Sequence, residues 1–273
     1  MKKLLLLLLT ALFAANCLAQ TDVKLPNELG LRLSLMAEKE LARGLHAYLS
    51  EEVRLDNNFG AFDRFYTTIG LTYKINNYFK VGAGYALINP YSPTRGEFKS
   101  CRHRFMIDGR VRFQFGDWQL SLKERFQATY RSGDMNPYQN PRTSLALKSR
   151  LKLIYKGFRR ITPYAYIENR TVFNEPLVRA QYDGTNYLTP ALEVEGEPGW
   201  FISGWNNVYT NRMRGAIGGE YRLTQRSCID VSFLADFLRD KVVDANKEGS
   251  KLKSYTYEKG FMGWLAAGYS YSF

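Results

Sequence analysis

The sequence predicts an all-β fold: a transmembrane, antiparallel, up-and-down β-barrel of about 10–12 strands behind an N-terminal signal peptide. Three observations carry that expectation. The chain opens on an export leader. From residue 29 onward, long segments alternate apolar and polar side chains. The connections between those segments alternate short and long.

The leader begins with a short positive stretch, Met1, Lys2 and Lys3. Apolar runs follow at 4–9 and 11–15, then Cys17, Leu18 and Ala19 at the cleavage positions, with Gln20 after them. The run is too short to cross about 30 Å of hydrocarbon, so it reads as a cleavable signal rather than an anchor. The expected domains are therefore 1–19, the signal peptide, and 20–273, the barrel. Acylation of Cys17 is the alternative, but Asn16 stands where that chemistry wants a small residue. Of the remaining thiols, Cys101 and Cys228, the expectation is two separate small hydrophobes; a disulfide in an oxidising compartment is the other option.

The 273 residues carry a formal net charge of +12, a pI near 9.5 and a mean hydropathy of −0.35. No later apolar run reaches about 18 residues, so no transmembrane helix is expected. Composition alone would suit a soluble protein, and the side-chain pattern argues otherwise.

Period-2 alternation is clearest at 102–115. Arg102, Arg104, Asp108, Arg110, Arg112 and Gln114 share one face. His103, Phe105, Ile107, Val111, Phe113 and Phe115 share the other. Gly116 and Asp117 predict a tight turn into 118–131, where Leu120, Leu122 and Phe126 oppose Lys123, Arg125 and Gln127. Comparable segments lie at 29–41, 45–55, 64–74, 79–88, 145–155, 161–171, 212–223, 229–240 and 261–273. Each is about 10 to 14 residues, the length of a tilted membrane-crossing strand rather than the 5 or 6 usual in soluble sheets.

Short connections fall at 42–43, 75–77, 116–117, 156–158 and 224–226. Long, polar ones fall at 89–100, 132–143, 172–210 and 241–258. Short turns at one end and long loops at the other is the outer-membrane barrel arrangement. Eleven segments sit awkwardly with the even strand numbers of bacterial single-chain barrels. A twelfth strand within 20–28 or 172–210 is therefore expected first, and ten strands second. The end of the chain, Tyr269, Ser270, Tyr271, Ser272 and Phe273, resembles the terminal-strand signal read by barrel-assembly machinery.

Export, strand length, aromatic ends and the final Phe273 select the inverted orientation, apolar faces toward lipid and polar faces toward the lumen. Aromatic content of 15%, with 19 Tyr, suits interfacial girdles. The lumen is then expected to hold the cations Arg102, Arg104, Arg110, Arg112, Lys123, Arg125, Lys148, Arg150, Lys152, Arg212, Arg214 and Arg222, with Arg32, Arg54, Arg64 and Lys80. Its acids are Asp108, Glu168, Glu220, Asp230 and Asp236, with Glu38 and Glu52. Pairing across the 116–117 turn sets Arg125 against Asp108, an attraction, and Lys123 against Arg110, a repulsion. Two readings stay open: a packed charge network filling a small barrel, and a basic lumen that attracts small anionic solutes. Strict alternation puts Glu51 and Glu124 on the lipid face, where a β-bulge is expected to turn each inwards.

Other chemistries find little support. Only His46 and His103 are available as bases, and a lipid hydrolase needs a nucleophile beside one of them. Pairing puts Tyr130 opposite His103, and His46 falls on the lumen face. No Cys or His cluster has metal spacing, so no metal or cofactor is expected. Export and the strand pattern argue against nucleic acid, despite the basic charge. The expected location is the bacterial outer membrane, with its lipid and lipopolysaccharide as partners.

The Arg-rich strands at 102–115 and 122–126, the 162–168 strand with Thr162, Pro163, Tyr164 and Glu168, the 214–221 strand and the closing 269–273 together resemble the domain of unknown function 2490 family. The resemblance covers most of the mature chain. It implies an exported barrel of about this size and carries no activity or site residues. The functions left in order are a narrow anion-favouring pore, then a surface-interaction barrel with a plugged lumen, then an outer-membrane lipid enzyme.

Overall fold

The computed structural model describes residues 22–136, 139–182, 187–188, 200–245 and 252–273. The expected signal peptide and Cys17 lie outside them. Eleven long strands form the wall: β1 (Glu28–Ala42), β2 (Leu45–Asp56), β3 (Ala61–Lys74), β4 (Phe79–Ser92), β5 (Arg102–Phe115), β6 (Trp118–Arg131), β7 (Thr143–Tyr155), β8 (Ile161–Tyr182), β9 (Trp200–Arg222), β10 (Ser227–Ala245) and β11 (Leu252–Ser272). Each pairs antiparallel with the next. β11 then closes on β1 in parallel, from Met262 opposite Glu28 to Ser272 opposite Glu38.

That parallel seam corrects the expectation of an even count. In an up-and-down barrel an odd number of strands leaves the first and last pointing the same way, and here they pair as they lie. Asp22–Lys24 supplies no twelfth crossing; it continues the seam, in parallel with Tyr257–Lys259. The 172–210 region also adds none among the described residues, because β8 and β9 simply run on through it. The loops expected at 172–210 and 241–258 are thus largely strand. β8 to β11 measure 22, 23, 19 and 21 residues, against 12 to 15 for β1 to β7. At about 3.3 Å per residue, they rise roughly 20 Å beyond the other strands along the strand direction.

The turns follow from their residues. Gly116 opens the β5–β6 turn at φ 58°, and Gly44 closes the β1–β2 turn at φ 78°, conformations that glycine adopts without a Cβ penalty. Asn76 Oδ1 accepts from the Tyr78 and Phe79 amides at 2.8 Å each, an Asx turn into β4. Thr224 Oγ1 does the same for Arg226 and Ser227 ahead of β10, at 3.1 and 3.0 Å. At the opposite end, Asn57, Asn58 and Phe59 all take positive φ, and Asn58 Oδ1 caps the Leu29 amide at 3.1 Å.

The wall is apolar outside and polar inside. Leu35, Phe105, Ile107, Ile167, Ile217 and Phe237 are all exposed, with Ile107 67% accessible. Facing the opposite way, Arg32, Gln127, Glu168, Arg214 and Asp236 are buried. Apolar side chains share the interior: Ala216, Leu234 and Trp264 pack together, with Tyr166, Met262 and Ala266 against them, and Ile88, Met106 and Val172 are also buried. The interior therefore combines hydrophobic burial with ion pairs and stacked rings.

Glu51 and Glu124 depart from expectation. Neither sits at a bulge: Glu51 pairs in register with Leu35 and Thr67, and Glu124 with Gly109 and Ser149. Both keep the outward face. The Thr67 hydroxyl donates to Glu51 at 3.0 Å and the Ser149 hydroxyl to Glu124 at 2.6 Å. A hydroxyl on the neighbouring strand meets each carboxylate, so neither strand needs to bulge.

Candidate functional site

The wall's alternation puts every lumen cation and acid named from the sequence on the inward face. Side chains at the same level share one cross-strand row. Lys74 stands opposite Lys80, Lys80 opposite Arg110, Arg110 opposite Lys123, and Lys123 opposite Arg150. Arg150 then meets Glu168 on β8. Five adjacent strands thus offer a cation at one level before an acid appears. Like charges directly opposite are destabilising, so this row calls for counter-charge from elsewhere.

Some arrives from the next row. Asp108 accepts from Arg125 at 2.8 and 3.1 Å and pairs with Lys123 at 3.1 Å. The attraction and the repulsion across the 116–117 turn are both present in one cluster. Arg104 donates to Thr129 at 2.9 Å, and Arg102 faces Arg131 in register. Lys148 stands between Arg125 and Arg170.

A dense ion-pair layer lines the lumen wall from β7 through β11 to β1. Glu168 accepts from Arg150 Nε at 2.9 Å and Arg212 Nη2 at 2.8 Å, with Arg214 at 4.0 Å. Arg214 also grips Asp236, at 2.6 Å through Nη2. Trp264 Nε1 donates to the same carboxylate at 3.2 Å, and Arg32 lies 3.6 Å from it. Arg32 stacks 4.1 Å above the Trp264 ring, so seam and ion-pair layer are one structure. Charges this buried are tolerable only when paired and hydrogen-bonded. On the strand next to β1, Arg54 stands opposite Arg32 and lies over Tyr66 at 4.3 Å, and Tyr48 packs where Gly70 and Gly84 leave room for its ring.

Below this layer the lumen opens. Toward the short-turn rim lies a cavity of about 270 Å³ lined by Arg110, Arg112, Lys123, Arg150, Lys152 and Lys156, with Glu220 its acid. Glu220 pairs with Lys152 at 3.3 Å. A second cavity of about 100 Å³ is bounded by Lys123, Arg125, Lys148, Arg150 and Glu168, sharing Lys123 and Arg150 with the first. Among the described residues Asp230 has no cation within salt-bridge distance, and it accepts from the Tyr164 hydroxyl at 2.8 Å. Arg222 is exposed at the short-turn rim, apart from both cavities. Near that rim His46 pairs with Glu38 at 3.2 Å.

Sequence reasoning missed the aromatic partners Trp264, Tyr66 and Tyr164, although all three stand at inward-facing positions. It missed Lys156, counted as a turn residue, and the surroundings of His103. Tyr130 does stand opposite His103, but the Tyr85 hydroxyl contacts Nδ1 at 2.7 Å and Cys101 Sγ lies 3.5 Å from Nε2. Cys101 and His103 are two residues apart, the spacing that shares a strand face. Both Cys101 and Cys228 are free thiols. Beyond the barrel rim, burial and the neighbouring Arg239 bring the Lys241 ammonium down to about 8.

Among the described residues no group of three or more His, Cys, Asp or Glu is placed to hold a metal ion. No curated protein matches the chain. The family model for a protein of unknown function, DUF2490, matches residues 30–246, from β1 to the end of β10. That span is most of the chain, and with the closed basic barrel in place the chain belongs to the DUF2490 family.

Proposed function

We propose that the protein is exported by a cleavable signal peptide and sits across the bacterial outer membrane, where its basic lumen serves as a narrow route for small anions. The observation that carries this reading is the inversion of the wall: exposed leucine, isoleucine and phenylalanine outside, and inside it arginines and lysines that outnumber the carboxylates they pair with. Apolar surface on that scale needs a lipid solvent. A lumen lined by one sign of charge concentrates the opposite sign. The final strand through Phe273 is the segment offered to barrel-assembly machinery, and the long-connection rim faces lipopolysaccharide.

The route is narrow, because the Glu168–Asp236 layer places buried, ion-paired side chains on the lumen wall beside the two cavities. A specific observation favours a second reading: β8 to β11 project past the rim and offer a surface to a partner, with the lumen a permanent plug. Conductance of the purified protein in planar bilayers separates the two. Sustained anion-selective steps are expected, and Arg110→Glu with Arg125→Glu should reverse the selectivity. Silence at all voltages would leave the plugged surface-interaction barrel. Extraction of the protein from cells without detergent would remove the membrane reading itself.

A further inference from the structure

We propose that the cavity at the short-turn end is a binding site for a soluble, phosphate-bearing anion. The inference rests on the basic-lumen reading and adds a ligand class to it. Six cations line the cavity against the single carboxylate of Glu220. Glu220 is committed to Lys152, and Arg150 to Glu168. Among the described residues, Arg110, Arg112 and Lys156 have no carboxylate within salt-bridge distance. Arg112 Nε is buried without a hydrogen-bond partner, which costs stability unless something accepts from it. Arg110, Lys123 and Arg150, three neighbours in the cross-strand cation row, line this same cavity, so their mutual repulsion is relieved by the same occupant.

The chemistry of the donors selects the ligand. Guanidinium groups present planar forks that match phosphate oxygens two at a time, and ammonium groups add point charge. A halide uses neither fork. A monocarboxylate answers one cation and leaves the others facing each other. The volume, about 270 Å³, falls just under the usual range for drug-sized ligands, so the solute is small. The cavity opens inside the barrel at the turn rim, beside Lys156 and Thr162, and not on the outer face. Lipid headgroups do not reach it, and a dissolved solute does.

The test uses the full mature chain in detergent micelles, titrated with inorganic pyrophosphate by calorimetry at ionic strength held constant with sodium chloride. One saturable site is expected, weakened at least tenfold in Arg110→Gln with Arg112→Gln and unchanged in the surface control Arg95→Gln. Binding no stronger than the chloride background, or undiminished in the double variant, overturns the proposal. Should the double variant not fold, the wild-type chain carries the test alone. Pyrophosphate should shield Lys152 and Lys156 from a water-soluble acylating reagent, read by mass spectrometry, and equal labelling with and without it overturns the site. A barrel that conducts anions in bilayers yet fails both measurements loses this site and keeps the proposed function.

Discussion

Glu168 is the carboxylate on which the lumen's charge arrangement turns. It is 4% exposed and holds Arg150 and Arg212, with Arg214 within reach. Glu168→Gln preserves shape and removes the charge, leaving those guanidinium groups close together in a poorly hydrated layer. Breaking a buried ion pair from one side costs about 3 kcal/mol or more. Arg150 is about a third exposed, which moderates its share. A loss of about 2–3 kcal/mol is expected in guanidinium unfolding in detergent micelles. A loss below about 0.5 kcal/mol would mean that water already screens these charges. Much of this site was legible in the sequence because strand parity is strict: Arg125 met Asp108, and Lys123 met Arg110, by counting from the Gly116 turn. What counting could not reach is who pairs with whom two strands away. Trp264 and Asp236 come together with Arg32 only because the barrel closes. Cys101 escaped for a different reason: it lies just before β5, outside the alternating segment, so its i+2 relation to His103 carried no weight.

The strands themselves were legible wherever one face is apolar, and their lengths were not. β8 was readable to residue 171, where alternation of apolar and polar side chains fades. The chain nevertheless stays extended, held by pairing between β8 and β9 through several register shifts. Under the proposed membrane location this extension lies beyond lipid and needs no apolar face, so the signal used to find strands disappears while the hydrogen bonds continue. Glu51 and Glu124 teach the converse. Their presence on the apolar face invited a bulge, but a hydroxyl one strand away removes the need. The parallel seam was beyond the sequence altogether, because parity alone cannot say how the first and last strands meet. Its register is testable. Gly30 lies opposite Trp264, and a Cβ there would run into the indole ring and the Leu55 carbonyl, which is backbone and cannot yield. Gly30→Val should therefore cost about 1–3 kcal/mol by overpacking. Gly109→Ala, where an added Cβ meets nothing within 4 Å, should change stability by less than about 0.5 kcal/mol. Unfolding followed by tryptophan fluorescence in micelles compares them, and equal stabilities would mean that Gly30 and Trp264 do not share this seam.

The eleven wall strands among the described residues, an odd number, put the two ends of the barrel wall at opposite rims. Phe273 lies at the short-turn rim, where the Ser272 amide donates to Arg226 at 2.7 Å and the Phe273 amide to Glu38 at 2.9 Å. Asp22–Lys24 lies at the other rim, beside the upper part of β11. In outer-membrane barrels the short turns face the periplasm. An odd barrel in that orientation carries the residues ahead of β1 on the cell surface, whereas ten or twelve strands would return them to the periplasm. An epitope placed just before Asp22 should consequently bind antibody on intact cells. So should one placed within 246–251, the connection between β10 and β11. An epitope in the β7–β8 turn at 156–160 should bind only after the outer membrane is opened. Antibody reaching the 246–251 epitope on intact cells but not the one before Asp22 would show that an additional crossing precedes β1, and the parallel closure of β1 on β11 would have to be abandoned. If instead the turn epitope is the surface-exposed one, the barrel sits inverted, and the phosphate-binding cavity opens to the exterior rather than the periplasm.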